Sequence, residues 1–225
     1  MSSEELGRRD DAFTVLRRFA RRRDTSEHCE LCSNRVAAEH QHLIEPATRR
    51  LSCVCDACAV LFSDGHAKYK RVPRDIRVLP DFQITDAQWD SLLIPIEMAF
   101  FYDSSQAGHI VALYPSPAGP TESLLPLETW QDIVRDNPVL ARMEPDVEAL
   151  VVNRLGPSRH EVMAGEHQAE YYILPIDECF KLVGLIRLHW KGLSGGTEVW
   201  AEIGRFFSEI RVRATSTPRG APCLS

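Results

Sequence analysis

Two short cysteine pairs are the residues of this chain whose types and spacing are best suited to chemistry. Two residues separate Cys29 from Cys32, and two separate Cys55 from Cys58. Zinc takes four thiolate or imidazole ligands in a tetrahedron, and a CxxC turn lets two thiolates converge on one ion while backbone N–H groups point at the sulfurs. The spacing therefore predicts a metal site formed by these four cysteines.

Three further residues near the pairs are alternative ligands. Cys53 lies just before the second pair, and His40 and His42 lie between the two pairs. Leu51 and Cys53 alternate as residues of a strand do, so Cys53 either faces the core or replaces one of the four ligands. The histidines are either spare metal ligands or structural residues that hydrogen-bond to a hairpin. The sequence leaves the exact fourth ligand open.

Zinc is the expected metal, and iron is the alternative. The chain has seven cysteines, an odd number, and five of them lie between residues 29 and 58. In a reducing compartment such clusters are typical of metal ligands rather than of disulfides. Four thiolates suit Zn²⁺ or an iron–sulfur cluster. The histidines do not form the paired Cys-x-His boxes of a Rieske site, and the ligand pattern favours zinc. A cluster would instead indicate an electron-transfer protein.

Composition and charge predict a globular cytoplasmic protein. Hydrophobic residues make up 44% of the chain and charged residues 26%, which is typical of a packed domain. No segment reaches the roughly 18 to 20 apolar residues of a membrane helix, and the polar N-terminus does not resemble a secretory signal. The net charge of −6 argues against the broad basic surface of a duplex-binding protein.

The N-terminal segment is the one strongly basic part of the chain. Apolar residues at helical spacing predict an amphipathic helix over residues 10–22, and residues 8–23 contain seven arginines. Four of these are the candidate partner-binding residues: Arg17, Arg18, Arg21 and Arg22. Phosphates or an acidic protein surface would suit them, and a solvated helix face, which the charge pattern alone favours, is the alternative. Because the net charge of the chain is negative and only this segment is strongly basic, nucleic acid is a less favoured partner than a protein.

The overall pattern predicts an α+β fold with a small N-terminal metal module, a small sheet and C-terminal helices. A hairpin should lie between the cysteine pairs, and a helix should follow over residues 57–62. Strands are predicted over residues 94–102, 110–114, 148–155 and 170–174, and helices over 85–93, 127–136, 176–190 and 197–210, the last capped by Thr197. The predicted parts are a basic helix over 1–25, a zinc-knuckle module over 26–64, an α+β domain over 66–214 and a disordered tail over 215–225.

Segments of the predicted module resemble the treble-clef zinc fold, including its HNH-type nuclease variant. The segments are CELC, AEHQHLIEP and CVCDACAVLF. In the nuclease variant a histidine pair on a hairpin binds a catalytic divalent ion against DNA, and His40 and His42 match that place. The asparagine and the later histidine of the nuclease motif are absent after Cys58, where residues 59–62 are apolar. The resemblance implies a treble clef, with a degenerate nuclease or nucleic-acid-binding module as an alternative function.

A second resemblance covers nearly the whole chain. Segments such as PDVEALVVNR, PIDECFKLVGLIR and KGLSGGTEVW are similar to a bacterial family of unknown function. Its members are often encoded beside genes for nickel–iron hydrogenases and their maturation factors. This resemblance implies an accessory or assembly role with a protein partner that is related to nickel–iron hydrogenases. Because the sequence offers no complete catalytic constellation, a non-catalytic role is expected.

Overall fold

The computed structural model describes residues 27–63, 68–155, 169–192 and 195–216. Within these residues the chain forms two β-sheets and a set of helices, and the predicted α+β fold class is confirmed. The predicted N-terminal helix lies outside the described residues, and with it Arg17, Arg18, Arg21 and Arg22. The C-terminal segment beyond residue 216 lies outside them as well.

The first sheet is small and carries the cysteine-rich segment. Its strands β1 (Gln41–Glu45) and β2 (Arg50–Val54) form an antiparallel hairpin, and β3 (Lys70–Arg71) pairs with the other edge of β1. Helix α1 (Asp56–Leu61) follows β2 directly. The predicted hairpin between the two cysteine pairs is therefore present, and so is the predicted helix, which begins within the second pair.

The second sheet has seven strands in the order β10-β4-β9-β8-β5-β6-β7. Its neighbouring strands are antiparallel, except that β10 runs parallel to β4. The strands are β4 (Arg77–Val78), β5 (Met98–Ser104), β6 (His109–Ser116), β7 (Gly119–Ser123), β8 (Glu148–Asn153), β9 (Glu170–Pro175) and β10 (Thr215–Ser216). The predicted disordered tail begins at residue 215, but residues 215–216 pair with β4, so the sheet extends through Ser216.

Helices cover both faces of the second sheet. They are α2 (Asp86–Ser91), α3 (Leu127–Asp136), a 3₁₀ helix (Pro138–Arg142), α4 (Ile176–His189) and α5 (Gly196–Arg213). Successive residues of a strand point to opposite faces. On β5, Phe100 packs into the core formed with α4 and α5, whereas Phe101 packs into the core that contains Trp130 of α3. The body of the molecule is thus a sheet between two helical layers.

The first turn of α5 depends on a glycine. Gly195 is the N-cap residue with φ of +84°, so the predicted cap at Thr197 is wrong by two positions. A Cβ atom on Gly195 would lie 2.8 Å from Cγ1 of Val199. Only glycine combines this left-handed conformation with so close an approach.

The two sheets share part of one core. Ile44 of β1 and Val72 after β3 are buried in the cluster that α4 and α5 form on the second sheet. Lys70 Nζ lies 2.7 Å from Asp146 Oδ2, which joins β3 to the loop before β8. These contacts dock the cysteine-rich segment on the body.

Among the described helices, none is long and apolar enough to cross a lipid bilayer.

Candidate metal centre

The first cysteine pair lies in a tight turn whose ends are tied by backbone hydrogen bonds. The N–H of Cys29 donates to the carbonyl of Asn34 at 2.7 Å, and the N–H of Ser33 donates to the carbonyl of Cys29 at 2.8 Å. Ser33 has a positive φ of 62°, which closes the turn. This geometry turns the side chains of Cys29 and Cys32 toward the same side.

The second pair lies where β2 ends and α1 begins. Cys55 is the N-cap residue of α1, and Cys58 lies within its first turn. Glu30 holds the two pairs together, since its N–H donates to the carbonyl of Cys53 and its carboxylate accepts the N–H of Cys53, each at 2.9 Å. The pKa of Glu30 is lowered, chiefly by that N–H from Cys53. The order of turn, hairpin and helix is the one that the treble-clef resemblance implies.

The four sulfur atoms of these pairs converge. The Sγ atoms of Cys29, Cys32, Cys55 and Cys58 all lie within 4.8 Å of one another, and Cys32 and Cys55 are 3.7 Å apart. A disulfide needs an S–S distance of about 2.05 Å, and these cysteines are free thiols. A zinc ion with Zn–S bonds of about 2.3 Å would place its sulfurs about 3.8 Å apart. The donor set and its spacing therefore fit one tetrahedral ion.

The electrostatics of the cluster also favour a cation. Burial alone would raise the pKa of the Cys29 thiol, but N–H groups of Cys55, Cys32 and Leu31 point at its sulfur and hold the pKa at about 6. Burial and the neighbouring sulfurs raise the pKa of Cys58 to about 12. One thiolate thus forms readily, while ionisation of a further sulfur beside it is opposed. A divalent ion would supply the positive charge that four adjacent thiolates need.

Cys53 lies on the other face of the hairpin from this cluster. Leu43 and Val54 pack with Cys29 and Cys58 in a small core, so their face of the hairpin is turned toward the four sulfurs. Cys53 precedes Val54 on β2 and therefore points the opposite way. The structure places Cys53 beside the histidines instead of in the knuckle cluster. Of the two alternatives left by the sequence, replacement of a knuckle cysteine is the one that this geometry disfavours.

His40, His42 and Cys53 form a second group of adjacent ligands. One ring nitrogen of each histidine and the sulfur of Cys53 lie within 4.8 Å of one another. His42 and Cys53 are directly opposite each other in the hairpin, and the rings of His40 and His42 meet edge to face with centroids 4.8 Å apart. Burial raises the pKa of the Cys53 thiol, and the charges of Glu27 and Glu30 raise it further.

Asp177 lies beside His42, although no sequence pattern links the two residues. Its Oδ2 lies 2.6 Å from Nδ1 of His42, and its Oδ1 accepts the N–H of Glu178 at 2.9 Å. Asp177 lies in the first turn of α4, where an acidic residue is common for reasons of the helix dipole alone. Because 135 positions separate it from His42, no local pattern could have indicated the contact.

Comparison with known proteins identifies the family of the chain but no function. Residues 28–214 match a family of unknown function, DUF5947. The chain belongs to this family. No curated protein and no solved structure matches it. In this member of DUF5947, the cysteine cluster and its surroundings are the features that point to a function.

Proposed function

We propose that this member of DUF5947 is a non-catalytic adaptor or assembly protein whose cysteine module is held together by one structural zinc ion. The observation that carries the proposal is the convergence of four sulfurs within 4.8 Å of one another. Four protein ligands fill a tetrahedral zinc ion and leave no position for substrate, which is the pattern of structural sites. A cytoplasmic location suits free thiols that bind metal, and we include it in the proposal.

Zinc fits this spacing better than an iron–sulfur cluster does. In an iron–sulfur cluster the four thiolates are distributed over two or more iron atoms, so some of the sulfurs are separated by the width of the metal core, whereas the four sulfurs of this chain all lie within 4.8 Å of one another. Here the close approach of Cys32 and Cys55, at 3.7 Å, matches two ligands of a single ion. We therefore rank electron transfer below a structural role. Elemental analysis with a visible spectrum of protein purified without oxygen separates the two.

An exposed apolar strip beside the cysteine cluster supports a protein partner. Val60 and Leu61 at the end of α1 are 65% and 69% exposed, and Phe62 follows them at the surface. Their helix is anchored from the inside by Cys58 and Ala59, which are buried. A contiguous apolar surface on a soluble module is typical of a protein interface. We propose that the partner covers this strip with an apolar surface of its own.

The identity of the partner rests on the family resemblance alone. The second resemblance points to proteins of nickel–iron hydrogenase assembly, and we propose one of these as the partner. Binding of nucleic acid through the histidine pair is less favoured, because Glu27, Glu30 and Asp177 surround His40 and His42 with negative charge. Such a setting repels phosphate unless a metal ion intervenes.

Affinity purification of the full chain at native expression tests the adaptor role. The unaltered chain should recover a defined partner at a fixed ratio, and Leu61→Glu should lose it because a charge then faces the apolar contact. Leu188→Glu is a matched control, since Leu188 is 77% exposed on α4. A chain that runs alone, or equal loss with both variants, would contradict the proposal.

A further inference from the structure

The face of the hairpin opposite to the four sulfurs carries ligands of a different kind. His42 of β1 faces Cys53 of β2 across the strand pair, and His40 immediately precedes β1. The three donor atoms lie within 4.8 Å of one another. Two imidazoles and one thiolate are ligands that borderline transition metals bind well. One face of the hairpin thus packs toward the four sulfurs, and the opposite face carries His42 and Cys53.

Hydrogen bonds fix which ring nitrogen of each histidine is free. Nδ1 of His40 lies 2.9 Å from the carbonyl oxygen of Ala37, and Nδ1 of His42 lies 2.6 Å from Oδ2 of Asp177. Because both of these oxygens only accept hydrogen bonds, the Nδ1 atoms carry the protons. In the neutral rings Nε2 is then an unprotonated lone-pair donor. This is the tautomer that metal-binding histidines adopt when a carboxylate or carbonyl holds the other nitrogen.

His40 provides an independent sign that a ligand belongs here. Its side chain is only 7% exposed, and its Nε2 atom is buried without any hydrogen-bond partner. Buried polar atoms normally have a partner, and an orphan of this kind calls for an ion or a water molecule. His40 itself belongs to the group of adjacent potential ligands that includes His42 and Cys53. A bound cation would satisfy the Nε2 atom.

We propose that His40, His42 and Cys53 form a second metal site, which takes a single divalent transition ion such as Zn²⁺. Three protein ligands leave one position of a tetrahedral ion open for water or an exogenous donor. Glu27 lies 3.3 Å from His40, and Asp177 holds His42, so the surroundings carry negative charge that attracts a cation. The proposal goes beyond the adaptor role and does not require a protein partner.

The proposed second site lies where the small sheet meets α4 of the body. Asp177 begins α4 in the body, whereas His42 belongs to the small sheet. An ion on His42 would strengthen the bond between His42 and Asp177, because metal binding makes the opposite N–H a better donor. Asp177 is then a positioning residue that links the ion to the body. The knuckle site holds the module together, and the second site would fasten it to α4.

Cobalt titration of the full chain tests the second site. The protein is freed of metal by a chelator under reducing, oxygen-free conditions and titrated with Co²⁺, with bound ions counted by elemental analysis. The unaltered chain should bind two ions per chain. Cys53→Ser should bind one, and so should the double variant His40→Gln with His42→Gln. His109→Gln, which changes an exposed histidine on β6, should still bind two.

The affinity for the second ion tests the role of Asp177. Asp177→Asn should weaken the second ion by about 10- to 100-fold and leave the first unchanged, as is usual when an outer partner of a metal-binding histidine is altered. Retention of the first ion in each variant shows that the module is folded. A single ion in the unaltered chain would overturn the proposal even if a variant failed to fold. Two ions retained by both Cys53→Ser and the double histidine variant would overturn it as well.

Discussion

The cysteine module around the hairpin β1–β2 and the seven-stranded body are stabilised by different means. The core of the module includes five buried residues among those described, and two of them, Cys29 and Cys58, are candidate ligands themselves. The body has large apolar clusters on both faces of its sheet. So small a core cannot offset the conformational entropy of folding without help, whereas the body has ample apolar burial. If the proposed zinc ion is bound, it supplies stability in the region where buried apolar area is scarce.

Removal of the metal from the four cysteines should have the largest effect on stability. It should unfold the cysteine module while the body stays folded. A structural zinc contributes about 10 kcal/mol or more in apparent binding free energy. Cys32→Ser should therefore abolish protection of the β1 and β2 amides from hydrogen exchange while β8 and α4 stay protected. Cys179→Ala is the control, because this buried thiol belongs to the core of the body. Simultaneous loss of protection in both regions would contradict the claim that the module and the body are stabilised by different means.

A cavity in the body should be the next largest effect and should leave metal binding unchanged. Phe101 is fully buried and stacks on Trp130 with ring centroids 5.2 Å apart. Phe101→Ala should lower the free energy of unfolding by about 3–5 kcal/mol, as large truncations in a core do. Urea denaturation measures the loss. The zinc content of the folded variant should equal that of the unaltered chain, and a fall in zinc content would show that the regions are not independent.

The charged contact between the regions should have an intermediate effect that depends on pH. Burial would raise the pKa of Asp146, but the Lys70 ammonium and the Ser105 hydroxyl and N–H lower it below its ordinary value. A lowered pKa in the folded state means that ionised Asp146 stabilises the fold above its unfolded pKa of about 3.9. This contribution is lost as the pH falls through the folded pKa.

Asp146→Asn should accordingly cost about 1–3 kcal/mol near neutral pH, because the ammonium of Lys70, which is 37% exposed, loses its hydrogen bond to a buried carboxylate. The difference between the variant and the unaltered chain should shrink as the solution is acidified through the folded pKa of Asp146. Denaturation at a series of pH values measures it. A difference that stays constant through the acid range would show that the Lys70–Asp146 contact does not join the regions.

Loss of a helix cap in the body should have the smallest effect on stability, and this effect should be confined to the body. Thr85 and Gln88 form a reciprocal capping box at the start of α2. Thr85→Ala should lower the free energy of unfolding by about 1 kcal/mol through loss of the cap. The unfolding of the module on metal removal should not change. A larger loss, or a shift in metal affinity, would mean that α2 supports both regions.

Much of this architecture follows from local sequence. The spacing of Cys29, Cys32, Cys55 and Cys58 predicted their convergence, and the period of apolar residues predicted α3 with its observed bounds. The bounds of β3, β4, β7 and β10 were not predicted, because strands of two residues, and a strand that begins with Gly119 and Pro120, show no clear alternation. The docking of His42 on Asp177 depends on how two distant elements pack, which no local pattern encodes.

The separation of the two ligand groups is likewise predicted in part by local sequence and in part set by the fold. Alternation along β2 placed Cys53 in a strand, but the face it occupies depends on which side of the hairpin packs on the body. Ile44 and Leu51 pack toward that body, and His42 and Cys53 share their face. The histidine tautomers likewise depend on Ala37 and Asp177, whose positions only the fold supplies.

Metal analysis of the Cys53→Ser chain tests the central claim most directly, since this variant isolates the four knuckle cysteines. Protein purified without oxygen and without added metal should contain one zinc per chain and show no visible absorbance. Cys58→Ser in the same background should contain none. Iron with visible absorbance, or an absence of bound metal in the folded Cys53→Ser chain, would contradict the account of one zinc ion held by four sulfurs.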